Sequence, residues 1–222
     1  MSAADRSTHG LERWAALGGV LYVVLFVIGT ILQFSGAPDG DAAPSKVIAW
    51  YSDSGHRDQL NIGWILVGLG LFFFLWFLTA LRQALIRLVG EGFLPTLATV
   101  GGAVYATLAL AAVAVSNGIR TMSDDTYRHQ VFPPLIHAAN DAAYVLHSSG
   151  GAGIGTMMIA ASLAVVQTRA LPVAVGWIGV AAGIIALASI AFFPWFVIAL
   201  WLLAASIILF IAGSPRRVAA RA

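Results

Sequence analysis

The polar side chains between residues 137 and 151 are the part of this sequence whose types and spacing could do chemistry. Asn140, Tyr144 and His147 fall on one stripe of a helix. His137, Asp141 and Tyr144 fall on the adjoining stripe. The whole set therefore covers a single side of one helix, and we expect that side to face the other helices of the protein.

These residues predict a proton-responsive site or a small-ligand pocket. Histidine changes charge near neutral pH, and an ionisable residue in a membrane span indicates a functional site. We expect such a site to use Asn140, Asp141, Tyr144 and His147. Asn117, at the end of the preceding predicted span, would assist.

A metal site is a weaker alternative. His137 and Asp141 lie one helical turn apart, so both could reach one ion. A third ligand would have to come from the preceding loop, which offers His129, Asp124 and Asp125.

Helix packing is the third interpretation of the same segment. Interhelical hydrogen bonds from serine, asparagine and histidine contribute about 0.6 kcal/mol on average in membranes. Gly151 and Gly155 would let a neighbouring helix approach closely.

No complete catalytic, cofactor or nucleic-acid motif accompanies these residues. Ser148 and Ser149 follow His147 directly, but residues one apart on a helix point in different directions. The chain contains no cysteine, which excludes disulfides and thiolate ligands. We therefore predict no catalytic residues and no cofactor, and we expect a protein that is not an enzyme.

The composition predicts that a lipid bilayer surrounds the chain. Apolar residues make up 59% of the 222 positions and charged residues only 10%, against about 25% charged in soluble domains. A soluble fold could not cover its surface with so few charges. The net charge is only +2 and no helix carries a stripe of basic residues, so we expect no nucleic-acid partner.

Six stretches are long and apolar enough for a helix that crosses about 30 Å of hydrocarbon. The sequence thus predicts a single all-α domain over residues 1–222, a polytopic transmembrane helical bundle with two structured outer loops. A proline at position 194 separates the last two spans into a hairpin. The predicted spans are about 14–34, 62–81, 93–116, 142–166, 172–192 and 195–213.

Positive residues near the span ends predict the orientation, because cytoplasmic segments are enriched in lysine and arginine. Eight arginines fall on one side, against four cations diluted by seven aspartates on the other. We expect a multi-pass protein of the bacterial cytoplasmic membrane with both termini in the cytoplasm. The eight are Arg6, Arg13, Arg82, Arg87, Arg169, Arg216, Arg217 and Arg221.

Both predicted outer loops are long enough to hold structure. In the first, Pro44 precedes an amphipathic pattern that predicts a short helix, with Trp50 and Tyr51 at the level of the lipid headgroups. In the second, residues 123–129 could form a turn of helix before Pro133.

Three apolar motifs carry a resemblance to a known family. They are Gly18-Gly19-Val20-Leu21-Tyr22, then Ile48-Ala49-Trp50-Tyr51 with His56-Arg57, then Leu171-Pro172 with Gly176-Trp177-Ile178-Gly179, Phe192-Phe193 and Leu200-Trp201. Over nearly its whole length the chain resembles a family of small six-span bacterial integral membrane proteins of unknown function. The resemblance implies a fold and a location, and no catalytic residue.

Two classes of function remain open. The chain could be a non-enzymatic interaction partner or small-ligand sensor, with another membrane protein or a second copy of itself as partner. Alternatively, it could be a small transporter or channel-like protein that uses the polar face of the fourth span. Transporters commonly place polar groups near the bilayer midplane on broken helices. Because Asn117, Asp141 and His147 are expected toward the outer end, the first class is favoured.

Overall fold

The computed structural model describes residues 3–123, 131–190 and 194–212, and these form helices with no strand among them. The protein is an all-α membrane protein, as predicted. Its helices are α1 (Ala3–Ala16), α2 (Gly18–Phe34), α3 (Pro44–Ser52), α4 (Ser54–Val89), α5 (Phe93–Ser123), α6 (Pro133–Ser149), α7 (Gly151–Thr168), α8 (Val173–Leu187) and α9 (Trp195–Ala212), with a 3-10 turn at Ala188–Ile190 after α8.

The predicted count of six spans is approximate. In the described part of the chain, five helical segments are long and apolar enough to cross a membrane. The sixth candidate, α8, has only 15 residues and is about 22 Å long. The five segments are Gly10–Phe34, Ser54–Val89, Phe93–Ile119, Pro133–Thr168 and Trp195–Ala212.

Several helices extend beyond the apolar stretches that predict them. The second predicted span covers 20 residues, whereas α4 has 36 and is about 54 Å long. Its first turn is capped by the Asp53 side chain, which accepts a hydrogen bond from the backbone N–H of His56 at 3.1 Å. Gln59 donates to the carbonyl oxygens of Leu32 and Ser35 at the end of α2. Polar residues thus continue the helix past its apolar part.

Six helices pack side by side in a closed ring. Each of α2, α4, α5, α7, α8 and α9 contacts the next, and α9 returns to α2. Helix α6 continues into α7 across Gly150, whose backbone keeps a right-handed helical conformation. It packs against α5 and α3.

Close approach between helices occurs at glycines, as the packing interpretation predicts. A Cβ atom on Gly153 of α7 would lie 2.5 Å from the carbonyl oxygen of Gly101 on α5. A Cβ on Gly155 would lie 2.8 Å from the carbonyl oxygen of Gly183 on α8, and Gly151 faces Ser189. The predicted packing role of Gly151 and Gly155 is therefore confirmed.

The two ends of the bundle carry different short helices. Helix α3 lies at the end formed by the C-terminus of α2 and the N-terminus of α4, which we call the α3 end. Helix α1 lies at the opposite end, the α1 end. There Glu12 and Arg87 form an ion pair at 2.6 Å, and the Arg13 guanidinium lies over the Phe210 ring.

Candidate functional site

Helix α3 forms a cap with its own hydrophobic cluster. Pro44 occupies the first turn, where its missing N–H needs no partner, and the predicted short helix is confirmed. Trp50 and Tyr51 are buried against α4, α5 and α6, and their expected position at the level of the lipid headgroups stays a prediction. The full cluster is Val47, Trp50, Tyr51, Leu60, Trp64, Ile119 and Ile136.

Polar contacts attach this cap to the bundle. The Tyr51 hydroxyl is hydrogen-bonded to the Asn140 side chain of α6. Burial raises the pKa of the Tyr51 hydroxyl, and the hydrogen bond to Asn140 partly opposes the rise. The ring of His56 stacks on Trp50 at 4.6 Å between centroids, and Arg57 donates to the Ser52 carbonyl at 2.6 Å. Asn140 therefore belongs to the cap.

His147 lies deeper, in an aromatic cluster inside the bundle. Its ring stacks on Phe26 of α2 at 5.3 Å and meets Tyr105 of α5 edge-on at 5.7 Å. Tyr105 is fully buried and its hydroxyl is hydrogen-bonded to that of Tyr22. Trp195, the first residue of α9, packs against Phe26 at 4.1 Å. These contacts place His147 beside Phe26 of α2, and its expected position toward the outer end stays a prediction.

Sequence reasoning missed the two tyrosines of this cluster. Tyr22 and Tyr105 bring hydroxyl groups into the middle of otherwise apolar helices. Tyrosine in membrane proteins is enriched at the interfaces, where its hydroxyl reaches water. A tyrosine far from either end of a predicted span therefore indicates a hydroxyl that must form a hydrogen bond inside the protein.

The remaining predicted residues do not join either cluster. Asp141 and Tyr144 lie on the exposed side of α6, Tyr144 with 58% of its surface exposed. The prediction that the whole polar set faces the bundle is thus wrong for these two. His137 and Asn117 are half-buried on α6 and α5, at the α3 end.

The described residues contain no group of three that could hold a metal ion. The predicted pair, His137 and Asp141, therefore has no third ligand within this part of the chain. The candidates for that ligand, Asp124, Asp125 and His129, lie outside the described residues.

Asp141 and Tyr144 lie one turn beyond the last described contact of the α6–α7 helix with the α8–α9 hairpin. One face of the continuous α6–α7 helix carries Tyr144, Ser148 and Gly151, because these residues are spaced four and then three positions apart. At Gly151 this face packs against Ser189, in the 3-10 turn that ends α8. Ser148 is also buried. One turn further toward the α3 end, the face is exposed.

The depth of the hairpin can be read from its contacts with α2. Trp195 packs against Phe26, which lies about 18 Å along the helix from Trp14 and about 12 Å from Phe34. Helix α9 runs from there toward the α1 end, where Phe210 contacts Trp14. Between these two contacts, α9 lies along about 18 Å of the roughly 30 Å that separate Trp14 from Phe34.

We call the region beside the exposed residues of α6, on the α3 side of Ser189 and Trp195, the notch. It is bordered by the face of α6 that carries Asp141 and Tyr144, and the mutual ring contacts of Phe26, His147 and Trp195 lie deeper in the bundle.

Comparison with known proteins adds no relative: no family model, curated protein or solved structure matches the chain.

Proposed function

We propose that this protein is a non-enzymatic integral membrane protein that senses a small amphipathic ligand, which enters the notch from the bilayer. The observation that carries the proposal is the exposure of Asp141 and Tyr144 on a helix face that the α8–α9 hairpin covers only as far as Ser148. Ionisable residues in membrane helices face protein partners or aqueous cavities, because exposure to lipid is costly. A ligand head group would give Asp141 such a partner.

The contacts on either side of the notch support sensing. Asn140, which precedes Asp141, is hydrogen-bonded to Tyr51 of the α3 cap. His147, one turn beyond Tyr144, contacts both α2 and α5. A ligand that shifts α6 would therefore change contacts with the cap and with two other helices. Exposed cap residues such as Lys46 offer a surface on which a second membrane protein, or another copy of this chain, would read the change.

The location of the sensor rests on the sequence. The distribution of arginines favours a multi-pass protein of a bacterial cytoplasmic membrane with both termini in the cytoplasm. In this orientation the cap and the notch face the outer leaflet. The resemblance to a family of six-span bacterial membrane proteins supports the same location.

A transporter or channel-like protein is the second candidate, and one observation favours it. The Tyr22–Tyr105 hydroxyl pair and His147 lie near the middle of the bundle, beside the point where α8 ends and α9 begins. Transporters place their substrate sites near the bilayer midplane. However, Tyr22, Phe74 and Tyr105 are fully buried against one another, so any path through the bundle would require this packing to open.

Single-cysteine labelling tests the proposal cleanly, because the chain has no native cysteine. A nitroxide at Val145→Cys reports the notch, one at Lys46→Cys reports the cap, and one at Ile178→Cys on the exposed surface of α8 is the matched control. Eight-carbon amphiphiles with cationic, anionic and neutral heads are titrated into nanodiscs. We expect at least one to change the spectra at 145 and 46 saturably and to leave 178 unaffected.

Two results would count against a sensor at the notch. An equal and unsaturable response at all three positions would mean simple partitioning into lipid. Release of a trapped amphiphile from proteoliposomes, at a rate proportional to the amount of protein, would favour the transporter.

A further inference from the structure

We propose that a groove between α1, α2 and α4 holds one acyl chain of an anionic phospholipid, whose phosphate lies beside Arg13. The groove is at the α1 end of the bundle and is separate from the notch. Its lining, its size and the charges around it point to this occupant.

The groove is apolar and opens to the outside of the bundle. Six residues define it: Leu11, Trp14, Gly18 and Leu21 from α1 and α2, with Phe73 and Trp76 from α4. Trp14 is 64% exposed, and Leu21 and Trp76 are exposed as well. At the bottom of the groove α2 and α4 meet closely, because a Cβ atom on Gly18 would collide with the Phe73 carbonyl oxygen. In a membrane protein such a surface is in reach of lipid chains.

The size of the groove favours a single chain over a helix. It extends from Leu11 to Leu21, which is about 15 Å along the helix, and its volume is about 190 Å³. One turn of an α-helix is about 10 Å wide and 5.4 Å long and fills roughly 400 Å³. The groove is therefore too narrow for a helix of a second protein and has the long shape of an alkyl chain.

Arg13 supplies a positive charge beside the groove. Its guanidinium lies 4.2 Å from the centre of the Phe210 ring, and the same ring meets Trp14 edge-on at 5.6 Å. The ion pairs recorded among the described residues do not include Arg13, and its buried Nε atom has no hydrogen-bond partner among them. A buried donor without an acceptor is costly. Phosphate oxygens are acceptors that a guanidinium binds strongly.

The other charges of the α1 end favour an anionic headgroup. Arg87 is already neutralised by Glu12, at 2.6 Å. Among the residues at this end whose side chains the structure describes, four arginines outnumber two glutamates: Arg13, Arg82, Arg87 and Arg169 against Glu12 and Glu91. Anionic lipids are attracted to such basic surfaces. A zwitterionic headgroup would bring its own cation next to the same arginines and gain less.

Trp14 joins the charged and the apolar parts of the site. It directly follows Arg13 and lines the groove, so its ring lies between the expected phosphate and the expected chain. The indole N–H is a donor that a lipid ester carbonyl can accept, and tryptophan is enriched at this level of the membrane. From Trp14 the chain would run past Gly18 to Leu21, two turns deeper.

The test uses the full chain in phosphatidylcholine nanodiscs with one bimane fluorophore, because the chain has no native cysteine. Val24→Cys places the fluorophore on the exposed surface of α2, three residues beyond Leu21. Ile178→Cys on the exposed surface of α8 is the matched control. Phosphatidylglycerol or phosphatidylcholine with brominated chains is then added, since bromine quenches the fluorophore on contact.

We expect half-maximal quenching at position 24 to need about five times less phosphatidylglycerol than phosphatidylcholine, as one arginine near the membrane surface contributes about 1 kcal/mol. At position 178 the two lipids should quench equally. Equal quenching at position 24 would overturn the anionic occupant.

Substitutions assign the preference to the site. Arg13→Gln should remove most of the preference at position 24, whereas Arg13→Lys keeps the charge and should retain it. Arg82→Gln is the matched control, because Arg82 lies six residues after Trp76 and therefore on a different side of α4. Leu21→Trp fills the groove and should remove the preference while every arginine remains. Melting temperatures in detergent check that each variant is folded.

Three results would overturn the proposal. An equal loss of preference in Arg82→Gln and Arg13→Gln would assign it to the general charge of this end of the bundle. A preference that survives in Leu21→Trp would show that the chain does not lie in the groove. Oxidation of unlabelled Val24→Cys to a disulfide-linked dimer in nanodiscs would show that a second copy of the protein covers this surface.

Discussion

The crossing between Gly101 on α5 and Gly153 on α7 predicts a large effect from a single methyl group. In Gly153→Ala, the new Cβ would lie 2.5 Å from the Gly101 carbonyl oxygen and 2.7 Å from the Tyr105 backbone nitrogen. Ordinary contacts of this kind begin near 3.4 Å, so the helices must separate by about 0.9 Å. A gap of that size loses a quarter to a half of the attraction between the facing atoms.

We therefore expect Gly153→Ala to lower the free energy of unfolding by about 1–3 kcal/mol, the usual cost of overpacking a tight core. The matched control is Gly68→Ala in α4, where no atom lies within 4 Å of the added Cβ. There alanine should be neutral or slightly stabilising, because it is the better helix former. Reversible unfolding in mixed micelles of dodecylmaltoside and sodium dodecyl sulfate measures both.

The double variant Gly101→Ala with Gly153→Ala tests the geometric reason. One separation of the two helices relieves both clashes, so the combined loss should fall short of the summed single losses by about 1 kcal/mol. Equal stability of Gly153→Ala and Gly68→Ala would refute the reasoning. Strict additivity in the double variant would show that the two methyl groups act independently.

Three further predictions concern other contacts. The raised pKa of Tyr51 contributes stability that is fully present below pH 10 and is lost as the pH rises toward the folded-state pKa. The melting temperature in detergent should therefore fall in that alkaline range for the native protein, and fall less for Tyr51→Phe. An equal fall for the two proteins would contradict this prediction. Tyr22→Phe or Tyr105→Phe alone leaves one buried hydroxyl without its partner and should lower the free energy of unfolding by about 1–2 kcal/mol. The double phenylalanine variant should recover part of that loss. A double variant less stable than either single variant would exclude the pairing. Alkaline phosphatase fused after Asp53 should be active in bacteria and inactive after Gly90, and the reverse pattern would invert the proposed orientation.

Much of the fold could be predicted from the lengths of the apolar stretches. A lipid-exposed backbone must form its hydrogen bonds within one helix, so about 20 apolar residues are enough to predict a span. The short helix α3 was predicted from Pro44 and its amphipathic pattern, and the close packing at Gly151 and Gly155 from the absence of side chains. These are local properties of the chain.

The candidate site could be predicted only in part. Helical periodicity correctly groups Asp141 and Tyr144 on one stripe, but it says nothing about which neighbouring helix covers each turn of that stripe. The answer depends on contacts between elements distant in sequence, such as Gly151 with Ser189 and Phe26 with Trp195. The depth of His147 likewise depends on partners from α2 and α5 that are distant in sequence.

The two ends of the described bundle are built from different sets of helices. Among the described helices, the six of the ring lie near the α1 end, whereas α2, α4, α5, α6 and the short α3 lie near the α3 end. In a bilayer, a bundle with more long helices beside α1 than beside α3 would displace more lipid from the α1 leaflet. A protein of this kind fits best in a membrane whose α1 leaflet is convex. Membrane curvature and lateral pressure would therefore affect where the protein accumulates and how readily a ligand enters the notch.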